Sequence, residues 1–81
     1  MTISLFPIII EWYEEGGYFA HCPILQGCHA EGETLGEVID IIHDVIKVHV
    51  ELRKKNNEPI SGVQIRRQSE INLQIALPVV V

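Results

Sequence analysis

The chain has 81 residues, of which 11 are acidic and 6 are basic, so its formal net charge is −5. Domains typically hold about 100–150 residues, so this length excludes a two-domain enzyme. We expect residues 1–81 to form a single domain with no C-terminal DNA-binding module. The acidic balance argues against binding to a phosphate backbone, which depends on clustered Lys and Arg, and it fits a basic protein partner.

Apolar patterning and cysteine number exclude other broad classes. No segment approaches the roughly 20 apolar residues of a membrane helix, and the first ten residues lack the charge and cleavage site of a signal peptide. Two cysteines are too few for a disulfide framework. We therefore expect a cytoplasmic protein without a membrane partner. A folded monomer of this size is marginally stable, and the 47% apolar composition favours self-association.

The N-terminal part of the chain is predicted to form a β-hairpin. Residues Ile3–Trp12 are rich in β-branched and aliphatic side chains, which favours a strand. Pro7 lacks an N–H group, so the strand should be a local edge or carry a bulge there. Gly16 and Gly17 can adopt the positive φ angles of a tight turn, and Tyr18–Cys22 would return as the second strand.

A short third strand is predicted after a loop that runs to Gly27. Residues Cys28–Glu31 alternate in polarity, which places Cys28 and Ala30 on one face and the two polar side chains on the other. Gly32 is expected to end this strand.

A long helix is predicted from Leu35 to Lys55, ending at Asn56. Thr34 and Glu37 have the spacing of a capping box, in which the Thr34 hydroxyl accepts from the Glu37 amide and the Glu37 carboxylate reaches back to the Thr34 amide. The apolar positions that step by three and four along one face are Leu35, Val38, Ile39, Ile42, Val45, Ile46 and Leu52.

The helix carries more apolar residues than one sheet contact requires. Ile41, Val48 and Val50 lie outside the main stripe, and a helix that is apolar on a second side is usually buried there too. The C-terminal run of valines adds apolar surface. These features predict a homo-oligomer whose interface includes Ile41, Val48, Val79 and Val80.

A half-buried final strand is predicted over Ile71–Leu77, where apolar and polar residues alternate strictly. The polar stretch Ser61–Glu70 before it shows no clear pattern. Pro78 is expected to end regular pairing. The element order is therefore β-β-β-α-β, which is an α+β fold.

The pairs His21-Cys22 and Cys28-His29 are the sharpest candidates for chemistry. Four such ligands could bind zinc tetrahedrally, and a Cys–His nucleophilic pair is a second possibility that requires an orienting group and an oxyanion site. Neighbouring strand residues point to opposite faces, so the two members of a pair would not converge on one ion. We interpret the cysteines as inward-facing and the histidines as solvent-facing.

Metal-dependent nuclease chemistry requires three or four converging carboxylates. The first strand offers only Glu11, and the final strand offers none. The sequence thus predicts no catalytic residue, no metal and no cofactor. The basic groups Arg53–Lys55 and Arg66-Arg67 lack interleaved aromatic residues, so direct binding to nucleic acid is not expected either.

A linked series of motifs runs along the hairpin, the loop and the start of the helix. It reads Gly-Gly-Tyr-Phe, then Pro-x-Leu-x-Gly-Cys, then Gly-x-Thr before a helix, and Glu58-Pro59-Ile60 follows the helix. Over roughly residues 5–60 this series resembles the HicB-like antitoxin family. The matching positions are Gly16, Gly17, Tyr18, Phe19, Pro23, Leu25, Gly27, Cys28, Gly32 and Thr34. None is a catalytic group, so we interpret the series as a folding signature.

The resemblance implies a partial ribonuclease H-like fold, with a three-stranded antiparallel sheet, a helix and a final strand. It also implies a non-enzymatic antitoxin that masks a small basic toxin of the HicA type, which cleaves messenger RNA. An acidic domain suits such a partner, and the residues that we expect to contact it are Glu14, Glu15, Glu31 and Glu33. The alternative is a small oligomeric regulatory or ligand-binding protein of the same fold without a toxin partner.

Overall fold

The computed structural model describes residues 2–58 and 73–81. Its strands form one antiparallel sheet in the order β3-β2-β1-β4, so the final strand joins the other three beside β1. The predicted β-β-β-α-β order of an α+β fold is confirmed. The elements are β1 (Ile3–Trp12), β2 (Tyr18–His21), β3 (His29–Gly32), α1 (Leu35–Lys55) and β4 (Leu73–Val80).

The predicted hairpin forms with β1 at its expected bounds. Gly16 and Gly17 both have positive φ angles, 100° and 97°, so they make the turn that L-residues would disfavour. β2 pairs only with Ile9–Trp12, whereas β4 pairs with the strand from Ile3 to Ile10. Pro7 therefore has a single neighbouring strand among the described residues, which confirms the prediction of a local edge.

The short strand and the final strand differ from prediction at their ends. β3 begins at His29 and includes Gly32, which was expected to end it. Pro78 does not end pairing, because it lies opposite Leu5 and β4 continues to Val80. A proline is tolerated in β4 since this strand is at the edge of the described sheet, where an N–H can be dispensed with. Predictions for residues 59–72, which include Pro59 and Ile60 of the motif after the helix and the stretch Ser61–Glu70, lie outside the described residues.

α1 begins and ends where the sequence predicts, with one change in its cap. The Thr34 hydroxyl accepts a hydrogen bond from the Glu37 amide at 3.1 Å. The Glu37 carboxylate, however, accepts from the amide of Glu33 at 3.2 Å and not from that of Thr34. At the other end Asn57 has a φ of 55°, and the Glu58 amide donates to the Arg53 carbonyl at 2.8 Å, which closes the helix with a left-handed cap.

The helix buries a face that differs from the predicted stripe. Its buried residues, Val38, Ile42, Ile46 and Val50, step by four. Val50, predicted to lie outside the stripe, is 1% exposed, and Leu52, predicted inside it, is 55% exposed. Rows of residues four apart are inclined to the helix axis, so a helix that crosses a sheet obliquely presents such a row.

The core lies between α1 and one face of the sheet. It contains alternate residues of β1 and β4, together with the loop and strand residues that follow β1. Its buried members outside the helix are Phe6, Ile8, Ile10, Ala20, Cys22, Leu25, Cys28, Ala30 and Val79.

Candidate functional site

The four predicted partner-binding carboxylates lie at one end of the molecule. Glu14 and Glu15 occupy the turn between β1 and β2, Glu31 lies in β3, and Glu33 lies between β3 and α1. All four are exposed. A groove of about 390 Å³ at this end is lined by Tyr13, Gly16, Gly17, Tyr18, Glu31, Gly32, Glu33 and Glu37. We call Glu14, Glu15, Glu31, Glu33 and Glu37 together the acidic end.

Hydrogen bonds connect the acidic end to the hairpin and to the helix. The Tyr13 hydroxyl donates to Glu31 Oε1 at 3.4 Å. Desolvation, followed by the charge of Glu31, raises the pKa of Tyr13 above its ordinary value, so its phenol remains a neutral donor at neutral pH. The carboxylates are acceptors that keep most of their surface in water, and such a surface attracts cationic groups.

The basic side chains of the described residues are confined to one half of α1. The described Lys and Arg residues are Lys47, Arg53, Lys54 and Lys55, all in the second half of the helix. The acidic end surrounds the start of the same helix, which is 21 residues and therefore about 30 Å long. In the described part of the chain, no basic side chain lies at the acidic end to neutralise it.

The histidine and cysteine pairs divide between two faces. Cys22 and Cys28 are each 2% exposed and belong to the core, as expected, and the Cys22 amide donates to the Cys28 carbonyl at 3.0 Å. The sulfur contact with Cys22, followed by burial, raises the pKa of the Cys28 thiol. His29 is exposed, but His21 is half-buried, and its Nδ1 is buried without a partner in the described structure.

The four candidate zinc ligands, which the sequence analysis did not expect to bind metal, do not converge on one site among the described residues. Within residues 2–58 and 73–81 no group of three or more His, Cys, Asp or Glu side chains could hold a metal ion. The rings of His21 and His29 instead lie beside Phe19, with centroid distances of 5.8 and 5.9 Å.

Arg53, which also contacts His49 of the same helix, fastens the helix to the loop before β3. Arg53 Nη1 donates to His49 Nδ1 at 3.0 Å, which requires the neutral ring with its proton on Nε2, and Arg53 Nη2 donates to the Gln26 carbonyl at 3.4 Å. Desolvation, followed by the charge of Arg53, lowers the pKa of His49. Sequence reasoning missed this contact, because residues 26 and 53 are distant in the chain.

The four residues predicted for an oligomer interface do not form one surface. Ile41 and Val48 are exposed on α1, at 37% and 62%. Val80 is exposed on β4, whereas Val79 is fully buried in the core of its own chain. Adjacent strand residues point to opposite faces, so Val79 packs towards the helix and is unavailable to a partner.

The sheet face opposite α1 carries exposed apolar residues that were not predicted from the sequence. Ile3 and Leu5 are each 66% exposed, although they lie in the longest strand. β1 is apolar on both faces, so periodicity could not separate the side that meets the helix from the other. The one signal in the sequence was position: Ile3 and Leu5 are at odd-numbered positions, whereas Phe6, Ile8 and Ile10 are at even-numbered ones. Because side chains alternate along a strand, the two sets point to opposite faces.

A family model covers the motif series and most of the rest of the chain. The model of the HicB-like antitoxins of bacterial toxin–antitoxin systems matches residues 6–78. The chain belongs to this family. The match extends beyond the motif series into β4 as far as residue 78, so most of the final strand is part of what the HicB-like family shares with this chain.

Similarity to curated relatives agrees with this assignment. A UPF0150 protein of Synechocystis sp. is 34% identical over 55 residues, which are 68% of this chain and 70% of that protein. A UPF0150 protein of Archaeoglobus fulgidus is 33% identical over 61 residues, covering 74% and 88%. One from Thermoplasma acidophilum is 36% identical over 55 residues, covering 68% and 80%.

The HicB-like motif residues between β2 and α1 have backbone and packing roles in the structure. Gly27 has a φ of 82° and allows the turn in which the Cys28 amide donates to the Leu25 carbonyl at 3.0 Å. Leu25 is 1% exposed and anchors this loop in the core. Thr34 caps α1.

Family membership supports a toxin partner for this HicB-like chain, and antitoxins of this kind are generally not catalytic. The part of the chain that the structure describes contains no helix with both the length and the hydrophobicity of a membrane span.

Proposed function

We propose that this HicB-like chain neutralises a small basic toxin of the HicA type, which cleaves messenger RNA, by covering it. The observation that carries the proposal is the family match over residues 6–78. The fold supplies the framework, and the chemistry required is binding alone, so no catalytic group, metal or cofactor takes part.

The acidic end is the surface that we propose for the toxin. Glu14, Glu15, Glu31 and Glu33 are all exposed, and the last two line the groove at this end. No described basic side chain lies beside them. A toxin that binds RNA needs positive charge on its RNA-binding surface, since phosphate contacts dominate such binding. A carboxylate-lined surface that occupies this positive region would exclude RNA from it.

Exposed charges of this kind control encounter and specificity more than final affinity. Complex formation should therefore be fast at low salt and slower as salt screens the attraction. In this proposal the antitoxin acts in the cytoplasm, where messenger RNA is cleaved, and it has no direct contact with nucleic acid.

The proposal is tested with the purified chain and its proposed partner, a small basic toxin of the HicA type. We expect the two proteins to co-elute at low salt. The double variant Glu14→Lys/Glu15→Lys should associate at least about tenfold more slowly, since reversing two charges turns attraction into repulsion. The matched control is Glu51→Lys/Glu58→Lys, which makes the same change in net charge at exposed sites distant from the acidic end.

Separate elution of the unmodified proteins at low salt would overturn the antitoxin proposal and favour the small regulatory or ligand-binding protein. Equal association rates for the Glu14/Glu15 variant and its control would reject the acidic end and leave the antitoxin role intact.

A further inference from the structure

The sheet face that points away from α1 carries a continuous apolar surface at the end distant from the acidic residues. The register places Ile3 opposite Val80, Leu5 opposite Pro78 and Pro7 opposite Ala76. Residues directly opposite in an antiparallel pair share a face. We call this surface the apolar face, and its six residues are Ile3, Leu5, Pro7, Ala76, Pro78 and Val80.

The apolar face has both a projection and a recess. Ile3 and Leu5 project, since each is 66% exposed. Beside them is a groove of about 340 Å³ with walls that include Leu5, Pro7, Ile9 and Pro23. Ile9 is 2% exposed yet lies outside the core cluster, which fits a residue at the bottom of this recess. A surface with adjacent projection and recess can be complementary to a copy of itself about a two-fold axis.

Charge distinguishes a second copy from a basic partner as the occupant. None of the six residues of the apolar face is charged. The carboxylates on the same side of the sheet, Glu11 and Glu31, lie at its other end, where each is paired with Phe19 across a neighbouring strand. Two copies with a net charge of −5 repel each other, so they meet most favourably where the surface carries no charge. A basic toxin gains no electrostatic attraction there.

The helix offers a poorer self-contact. Asp44 is three residues after Ile41 and four before Val48, so it lies on the same flank as both. Its side chain is 83% exposed. Two-fold packing of this flank would bring Asp44 close to its copy and would desolvate both carboxylates.

The edges of the sheet are also poor contacts. β3 has only four residues, and β4 contains Pro78, which lacks an N–H group. Short edge strands and edge prolines hinder the addition of another strand. Sheets can still pack face to face at about 10 Å separation, with their side chains interdigitated.

We propose that two copies of this chain stack their apolar faces about a two-fold axis, with Leu5 of each copy in the recess of the other. This arrangement leaves the acidic end of each copy open. It is independent of the toxin, because it needs only the chain itself.

The test is sedimentation equilibrium of the full chain at tens of micromolar, without toxin. The unmodified chain should have twice its mass of 9.2 kDa. Leu5→Glu should raise the dimer dissociation constant by about 100-fold or more, since an unpaired carboxylate would be buried at the contact. Val48→Glu is the matched control, because it adds the same charge at a side chain of similar exposure, 62% against 66%, and it should remain dimeric.

A second variant keeps the test decisive if Leu5→Glu fails to fold. Ala76→Glu changes an exposed residue of β4 and should also give monomers with an unchanged circular dichroism spectrum. A monomeric unmodified chain, or folded Leu5→Glu and Ala76→Glu proteins that stay dimeric, would overturn the proposal. Dissociation by Val48→Glu alone would assign the contact to the helix. Loss of toxin binding by Leu5→Glu without a change in mass would assign the face to the toxin.

Discussion

Gly32 lies so close to Val38 that no side chain fits between them. A β-carbon built on Gly32 would be 2.8 Å from the Val38 amide nitrogen and 3.1 Å from its β-carbon. Val38 is fully buried in the first turn of α1. The end of β3 and the start of the helix therefore meet through backbone, and this contact sets where α1 begins to cross the sheet.

Replacing this glycine should destabilise the protein. Gly32→Ala forces the backbone of β3 away from α1, and we expect the free energy of unfolding in urea to fall by about 1–3 kcal/mol. Gly36→Ala is the control, since a β-carbon there meets nothing within 4 Å in the described structure. Because Gly36 lies within the helix, Gly36→Ala should raise the free energy of unfolding by about 0.5–1 kcal/mol. Equal effects of the two changes would contradict this packing.

The buried face of α1 makes opposite predictions for two apolar residues near its end. Val50→Ala should lower the free energy of unfolding by about 2 kcal/mol, because its side chain is 1% exposed in the core. Leu52→Ala should change it by no more than about 0.5 kcal/mol, because that side chain is 55% exposed. Denaturant titration of both variants checks the pair. A larger loss of unfolding free energy for Leu52→Ala than for Val50→Ala would instead support the apolar stripe inferred from the sequence.

Local signals made the hairpin, the capping residue and the helix bounds predictable. The hairpin turn requires positive φ angles, which Gly16 and Gly17 can adopt, and Thr34 with Glu37 has capping spacing, so each feature is encoded within a few residues. The direction in which a helix crosses a sheet is a tertiary property. The crossing direction is the reason that Val50 is buried and Leu52 is exposed, and no local sequence pattern encodes that direction.

The candidate surfaces were predictable to different degrees. The exposure of Glu14 and Glu15 follows from their place in a turn. The apolar face did not follow from sequence, because β1 is apolar on both sides and its partner β4 is more than sixty residues away in the chain. Pro78 was also misread, since the tolerance of a proline depends on whether its strand is at an edge.

Acidification should destabilise the protein partly through His49. Its pKa is lowered in the folded chain from the ordinary value of 6.5 by desolvation and by Arg53. The unfolded chain therefore binds more protons as the pH falls below about 6.5, so this contribution is present above that pH and is lost as the pH falls through the folded pKa. When the pH is lowered from above this window to below it, we expect the thermal midpoint of His49→Gln to fall less than that of the unmodified chain.

The readout for His49 is the difference between the two proteins, because other groups affect both equally. Parallel midpoint-against-pH curves for the unmodified chain and His49→Gln would show that the contact of Arg53 with His49 Nδ1, 3.0 Å long, does not couple to folding.

The two thiols should react slowly in the folded protein. Cys22 and Cys28 are each 2% exposed, and the raised pKa of Cys28 disfavours its reactive thiolate. We expect a disulfide reagent to modify them about 100-fold or more slowly than in urea, because reaction requires opening of the core. Gln26→Cys, in the exposed part of the same loop, is the control and should react at once. Rapid modification of all three thiols would contradict the burial of the pair.

The most direct measurement of the proposed function is messenger RNA cleavage by the proposed HicA-type toxin as this chain is titrated in. Occlusion predicts that cleavage falls to background once the chain equals the toxin in concentration, and that added salt weakens the inhibition. Undiminished cleavage in the presence of excess folded chain would contradict the account.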